Sequence, residues 1–393
     1  MRSVDKVENR LQSDVQRNPS PRVYSGSQGN AILAKYLCGC TDCGASLAVG
    51  DGQTANFLRK GGVEMSIHIS YSRVSSYLTC PYKHYLGYVL RLKQKRPVRP
   101  LYFGSDFHKL LELRNNTEEL AKARESIKDS FYEMKPSWQA ELGENYVEDL
   151  FTIFSDYQDV YKDCPQPKVT EKQFIIPVGK AYGQEVVFKG VIDELYKLKR
   201  NGEKIIKIGE HKTFSRKPDS MMLVMNTQKC LYAKAAQILY GILPKSVIWD
   251  YIYSSPAPEP MWLEKSKRFS NTKSDKLTPY SWLRGCERHG VTDPEVLNQA
   301  EQFRGNIPNY FFRCELEFVP GMVDQIYDGF IYMCKEIALR GEKNKTKNLT
   351  WNCPKCAYNA ICHAELTGGD VQYIIDKDFE YCPQKDESEQ EEV

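Results

Sequence analysis

Three charged side chains in two short segments have the types and spacing needed to cleave a phosphodiester. Asp193 closes the segment Gly-Val-Ile-Asp, and Glu210-His211-Lys212 follows further along the chain. Side chains alternate along a strand, so Glu210 and Lys212 share one face and His211 points to the other. Two carboxylates suit Mg²⁺ or Mn²⁺, which polarises a phosphoryl oxygen and lowers the pKa of a bound water. Lys212 can orient that water and balance developing charge, so the pattern predicts metal-dependent hydrolysis.

Two predicted strands position these acids. They span Glu185 to Leu198 and Ile205 to Thr213, with the turn residues Asn201-Gly202 between them. A hairpin that begins at Phe174 leads into the first strand. The strand after them is predicted at Ser246 to Ser254. Acids on neighbouring strands of one sheet can therefore converge on one ion.

Helices are predicted on either side of the strands. Four apolar stripes indicate them, at Ser70 to Arg91, Glu118 to Met134, Asn145 to Lys162 and Pro320 to Arg340. In a fifth helix Gln228 and Tyr232 lie four residues apart and share a face.

The order of these motifs resembles the PD-(D/E)XK nuclease superfamily, specifically its RecB-like branch, over about Ser66 to Cys362. Tyr102 to Glu112 is similar to the first motif of that branch, a Phe-Gly turn that opens a helix with a metal-facing histidine. The resemblance implies an α/β, restriction-endonuclease-like fold with a mixed central sheet flanked by helices. It implies the following functional residues: metal ligands His108, Asp193, Glu210 and the backbone carbonyl of His211, and catalytic residues Asp193, Glu210, Lys212, Gln228 and Tyr232.

Each motif has a simpler explanation when it is taken alone. A Glu-x-Lys pair on a strand is usually a solvated cross-face pair, and a lone helix histidine usually has an ordinary structural partner. The ordered conjunction of the motifs is what favours a nuclease. One departure from the pattern is His211, because many relatives have an apolar residue between the acid and the lysine. Strand alternation predicts that its side chain points away from the metal.

Cysteines give a second signal. The chain has 13, an odd number, with neither a secretory leader nor an apolar run long enough to span a membrane, so a reducing cytoplasm is expected, bacterial or in a phage-infected host. Cys80 precedes the predicted catalytic residues, and Cys353, Cys356 and Cys362 follow them. This arrangement resembles the iron-sulfur nucleases of the RecB-like branch, including AddB-like and CRISPR-adaptation nucleases. Four thiolates can ligate a [4Fe-4S] cluster or a structural Zn²⁺, and unligated buried thiols are the simplest alternative.

Charge adds a weaker indication. The net charge of +3 is too small to indicate nucleic acid by itself. A cluster of five positive residues before the Phe-Gly turn could meet a phosphate backbone, or could be a solvated linker. These residues are Arg91, Lys93, Lys95, Arg96 and Arg99.

Composition divides the chain into regions. We expect a polar extension at 1–65, a nuclease domain at 66–345 with an inserted loop at about 256–279, a cluster-binding region at 346–382 and an acidic tail at 383–393. Within the extension, Cys38, Cys40 and Cys43 suggest half of a zinc knuckle without an obvious fourth ligand.

The activity predicted from these features is metal-dependent cleavage of DNA, single-stranded or duplex, from an end. An endonuclease and a nuclease subunit of a helicase or recombination complex are alternatives. So is an iron-sulfur nucleic-acid-binding protein with a vestigial site, although the intact acids argue against it. The sequence has no Gly-x-x-x-x-Gly-Lys-Ser/Thr phosphate loop, so unwinding would need a partner. Candidate partners are a recombinase, a single-strand annealing protein or a helicase, and no membrane is expected.

Overall fold

The central element is a six-stranded mixed sheet. The computed structural model describes residues 66–200, 203–215, 217–270 and 274–382, so the predicted extension with its three cysteines and the acidic tail lie outside the described residues. The strands of the sheet are β1 Ile67–Ile69, β3 Val169–Ala181, β4 Gln184–Arg200, β5 Glu203–Phe214, β6 Ser246–Tyr253 and β9 Phe311–Glu317. Their order is β1-β4-β5-β6-β9, with β3 also beside β4. The pairs β1-β4 and β5-β6 are parallel and the others antiparallel, which is the predicted mixed sheet.

The long strand β4 changes partners halfway along its length. Its first half pairs with β1 as far as Phe188, and its pairing with β5 begins only at Glu194, opposite Gly209. Beyond that pair β5 leaves β4 and follows β6. The two strands therefore form a fork, and Asp193 and Glu210 are the first residues inside it on either side.

Helices cover both faces of the sheet. They are α1 Tyr71–Thr79, α2 Pro81–His84, α3 Arg99–Leu113, α4 Thr117–Tyr132, α5 Pro136–Leu142, α6 Tyr146–Tyr161, α7 Ser220–Val224, α8 Thr227–Tyr240, α9 Pro279–Arg288, α10 Pro294–Asn298, α11 Pro320–Arg340, α12 Asn359–Thr367 and α13 Val371–Asp378. One core joins α1, α8 and α11 to Phe188 and Trp249. A second joins α3, α4 and α6 to Ile252. Alternation along β6 sends Trp249 to one face and Ile252 to the other.

The predicted helix from Ser70 to Arg91 is wrong as one continuous helix. The chain is extended at Cys80, with φ −162° and ψ 113°, and continues as α2 and a π-helical turn at Tyr85–Val89. Pro81 explains the break, because a proline drives the residue before it out of the helical region. Cys80 thus lies between the two helices, as the C-cap of α1 and the N-cap of α2.

The C-terminal region packs on the segment that follows α1. Strand β10 (Phe379–Tyr381) pairs with β2 (Leu92–Gln94), and a small core joins Tyr82 and Leu86 to Ile361. We call residues 80–94 with residues 344–382 the cysteine module. The module thus joins segments that are far apart in sequence.

The region predicted as an inserted loop at 256–279 has a core of its own. It contains the hairpin of β7 (Trp262–Leu263) and β8 (Arg268–Phe269) and continues into α9, α10 and a 3₁₀ helix at Gln299–Asn309. Its core packs Phe269 against Trp282. No helix among the described residues combines the length and apolar character needed to cross a membrane.

Candidate active site

The fork between β4 and β5 brings Asp193 against the main chain of β5. The backbone N–H of His211 donates to Asp193 Oδ2 at 2.8 Å. Asp193 is the last residue of β4 before the paired region, so its carboxylate is free to face the opening of the fork. The structure therefore places the main chain of His211 beside Asp193, as the predicted carbonyl ligand requires, although that role itself stays a prediction.

A third acid, Glu171 on β3, joins the site from the other side of β4. The register Thr170↔Glu194 and Lys172↔Ile192 puts Glu171 opposite Asp193, with φ at +45°. Ligand atoms of His108, Glu171 and Asp193 all lie within 4.8 Å of one another. Sequence reasoning missed Glu171, because the predicted hairpin begins only at Phe174, and a bulge between Pro177 and Gly179 also shifts the hairpin register. Counted from the turn without that bulge, Lys172 and not Glu171 would face Asp193.

His108 lies on helix α3, close to Glu171 and Asp193. Phe103, Phe107 and Leu111 on the same helix are buried in the second core, which fixes how the helix lies on the sheet. His108 Nδ1 lies 3.3 Å from Glu171 Oε1 and 4.0 Å from Asp193 Oδ2. Burial disfavours the charged imidazole, but the two carboxylates outweigh it and raise the pKa of His108.

Glu210, Lys212 and Gln228 form the other wall of the fork. Lys212 Nζ lies 2.5 Å from Glu210 Oε1, and Gln228 Nε2 donates to the same oxygen at 2.8 Å. Glu210 is buried, and burial together with the nearby Asp193 carboxylate raises its pKa to about 7 against the opposing effect of Lys212. Burial would lower the pKa of Lys212, but Glu210 raises it above its usual value. The lysine is thus held charged beside the acids.

Tyr232 packs behind Glu210 and Gln228, on the buried side of this wall. It is buried one turn after Gln228 on α8, and its ring meets that of Phe174 edge-on with centroids 5.7 Å apart. Both rings pack over Gly190, where an added Cβ would lie 2.7 Å from Phe174 Cζ and 3.4 Å from Tyr232 Cε1. Glycine at 190 thus lets β3 and α8 approach β4 closely. The predicted residues His108, Asp193, Glu210, Lys212, Gln228 and Tyr232 are all brought together here.

His211 points to the opposite face of the sheet, as strand alternation predicts. Its Nε2 lies 3.0 Å from Glu194 Oε1 and its Nδ1 lies 3.4 Å from Asp250 Oδ2. Arg114 Nη1 lies 2.8 Å from Glu194 Oε1, and Arg313 Nη2 lies 2.5 Å from Asp250 Oδ2. Burial disfavours charge on His211, but Glu194 and Asp250 raise its pKa to about 10. A buried ionic network therefore lies directly beneath the fork, and we call it the His211 network.

The four cysteines predicted to hold a cofactor line one cavity of about 390 Å³ in the cysteine module. Burial raises the pKa of Cys362, and the neighbouring thiols of Cys80, Cys353 and Cys356 add to the shift against Lys347. Among the described residues, one group of three His, Cys, Asp or Glu ligand atoms lies within 4.8 Å of one another, and it is the group of His108, Glu171 and Asp193. No three of the four cysteine sulfurs therefore lie that close together. Ligation by the four stays a prediction.

Three of the five basic residues predicted to contact DNA form hydrogen bonds or ion pairs within the chain. Lys95 Nζ donates to the Asp376 carbonyl at 2.5 Å, and Arg96 pairs with Glu141 at 2.9 Å. Arg99 pairs with Asp149 at 3.1 Å. Arg91 and Lys93 flank or lie in β2. Contact of this segment with DNA stays a prediction.

The fold and the site define a class of nuclease. Residues 68–363 match the PD-(D/E)XK nuclease superfamily, and the chain belongs to this superfamily. A comparison with curated proteins finds no match.

Solved structures give weaker likenesses. The protein SSO0001 is 12% identical with a TM-score of 0.30, and the match covers 76% of this chain and 88% of that chain. Rai1 from Scheffersomyces stipitis is 14% identical with a TM-score of 0.15, over 59% of this chain and 73% of that chain. Scores this low add nothing to the fold assignment, which rests on the sheet and on the superfamily match.

Proposed function

We propose that the chain is a Mg²⁺- or Mn²⁺-dependent deoxyribonuclease that degrades DNA from an end. The observation that carries the proposal is the convergence of one imidazole, three carboxylates and one lysine in the fork between β4 and β5. A divalent cation polarises a phosphoryl oxygen, and a cationic side chain beside it stabilises the negative charge that develops during hydrolysis of a phosphodiester. The choice of DNA and of an end comes from the resemblance to RecB-like nucleases.

The residues of the fork fit a divalent cation. Carboxylate oxygens are the preferred ligands of Mg²⁺ and Mn²⁺, and an imidazole is acceptable to Mn²⁺. His108, Glu171 and Asp193 offer such atoms within 4.8 Å of one another, and Glu210 lies across the fork from them. When bound there, the cation supplies a Lewis acid for the phosphoryl oxygen and a more acidic water.

The residues around the cation site have separate tasks. Lys212 is held charged beside Glu210, so its ammonium can stabilise negative charge that develops on the phosphate. The amide of Gln228 holds the Glu210 carboxylate in place from α8. Tyr232 packs behind both and keeps water from the inner side of the acid. Together they orient the substrate phosphate toward the acids of β3 and β4.

We further propose that Cys80, Cys353, Cys356 and Cys362 hold a [4Fe-4S] cluster. The shared cavity supports a common ligand. Four thiolates are also the ligand set of a tetrahedral Zn²⁺ site, so analysis for metal and acid-labile sulfide distinguishes the two. Such a cluster would tie the first turns of the domain to its end, in a reducing cytoplasm.

The test is digestion of end-labelled single-stranded, duplex and covalently closed circular DNA with Mg²⁺ or Mn²⁺. Linear substrates should be degraded and circles should survive. Cleavage of circles would instead establish an endonuclease, and no cleavage of any DNA would refute the proposal. Adding a recombinase, an annealing protein or a helicase then shows whether a partner stimulates the reaction.

A further inference from the structure

Trp351 is the most exposed large apolar side chain among the described residues. It is 82% exposed, and Leu349 two positions earlier is 65% exposed. An indole offers a large flat area that proteins normally bury, so an open one indicates a contact surface. Trp351 lies two residues before Cys353, on the rim of the cysteine module.

The residues around Trp351 are strongly basic. Lys343, Lys345 and Lys355 are exposed, whereas Lys347 pairs with Glu365, Nζ to Oε2 at 2.8 Å. Among the described residues, Lys343 and Lys355 form no ion pair. Lys345 lies over the Tyr85 ring, with Nζ 4.4 Å from its centroid. We call residues 343–355 the lysine-tryptophan loop. An exposed aromatic side chain in a segment with exposed lysines matches the chemistry that holds single-stranded nucleic acid, since bases stack on aromatic rings and phosphates contact lysines.

Helix α1 connects this loop to the active site. At the first residue of the helix, the Tyr71 hydroxyl accepts from Thr227 Oγ1 at 3.4 Å, and Thr227 precedes Gln228 of the fork. At its last residue, the Thr79 carbonyl accepts from Asn348 Nδ2 at 3.2 Å. A helix of nine residues is about 13 Å long. A strand held in the fork can therefore reach the loop within a few nucleotides.

We propose that Trp351 stacks on a base of a single nucleic-acid strand, and that Lys343 and Lys355 contact its phosphates. The loop is then a second anchor for the strand, separate from the catalytic fork. That this strand is the substrate rests on the proposed function, whereas the binding of single-stranded DNA by the loop does not.

The test measures binding without cleavage, using full-length holoprotein in a Lys212→Ala background and a fluorescein-labelled oligothymidine. Trp351→Ala should weaken binding at least about fivefold, because stacking on one base is worth about that much or more. Trp351→Phe should retain affinity within about threefold but lose the quenching of tryptophan emission on binding. Tyr132→Ala, which removes an exposed aromatic from α4, is the matched control and should bind normally.

Salt dependence tests the lysines. Replacing Lys343 and Lys355 by Ala should flatten the slope of log K against log salt by about 0.7 for each lysine. Unchanged affinity in Trp351→Ala with unchanged metal content overturns the proposal, whether or not the wild type cleaves DNA. A loss of affinity in a protein that never cleaves DNA would refute the proposed function and leave the loop assignment standing.

Discussion

Replacing His211 by leucine should lower the free energy of unfolding, and the size of this loss should depend on pH. The imidazole is 3% exposed between Glu194 and Asp250, which are themselves 3% and 2% exposed. Removing one partner from a buried ionic group costs about 3–5 kcal/mol. In the leucine variant Glu194 still pairs with Arg114, and Asp250 still pairs with Arg313. We therefore expect the loss of stability near pH 6 to lie at the lower end of that range.

The pH dependence follows from the sign of the shift. The folded-state pKa of His211 is about 10, above the unfolded value of about 6.5, so the folded state binds the extra proton. Its stabilisation is complete below about pH 6.5 and is lost progressively as pH rises from there toward 10. The difference between wild type and His211→Leu should therefore shrink over this window.

The assay is urea unfolding followed by circular dichroism at pH 6, 7, 8, 9 and 10, with divalent cations chelated. Taking the difference between the two proteins cancels other titrations. His289→Gln, whose ring stacks on Trp262 in the insertion, is the control and should leave the wild-type profile in place. A difference that stays constant from pH 6 to pH 10 would refute a charged His211 network.

Three further predictions address the site and the cysteine module. Glu171→Gln should raise the Mg²⁺ concentration for half-maximal cleavage about tenfold or more, whereas an unchanged metal titration would remove Glu171 from the site. Ca²⁺ should bind without supporting cleavage because its larger, looser shell positions water poorly, and turnover in Ca²⁺ would contradict this. An alanine substitution at any one of the four module cysteines, Cys80, Cys353, Cys356 or Cys362, should remove most of the iron and lower the Tm. The same substitution at Cys314 or Cys230 should change neither. A protein purified without air that contains one zinc and no sulfide would contradict the cluster.

Most of the candidate site is predictable from the sequence, because the order of its motifs resembles the RecB-like pattern and strand alternation decides which side chains share a face. The two-residue spacing of Glu210 and Lys212 placed them on one face, and the same rule sent His211 to the other. Gln228 reaches Glu210 because it lies in the first turn of α8, which crosses that face.

Other features depend on contacts that the local sequence does not encode. Glu171 faces Asp193 only because a bulge shifts the hairpin by one residue. The partners of Arg96 and Arg99 come from α5 and α6, so their pairing needed the tertiary packing. The break at Cys80 is different, since Pro81 next to it was a readable local signal.

Whether the fork between β4 and β5 is the catalytic site can be decided by measuring cleavage in three variants. Asp193→Ala, Glu210→Ala and Lys212→Ala, assayed beside wild type on labelled linear DNA with Mn²⁺, should each lose at least about a hundredfold in rate while DNA binding and circular dichroism stay close to wild type. Near-normal cleavage by all three folded variants would show that the fork is not the catalytic site.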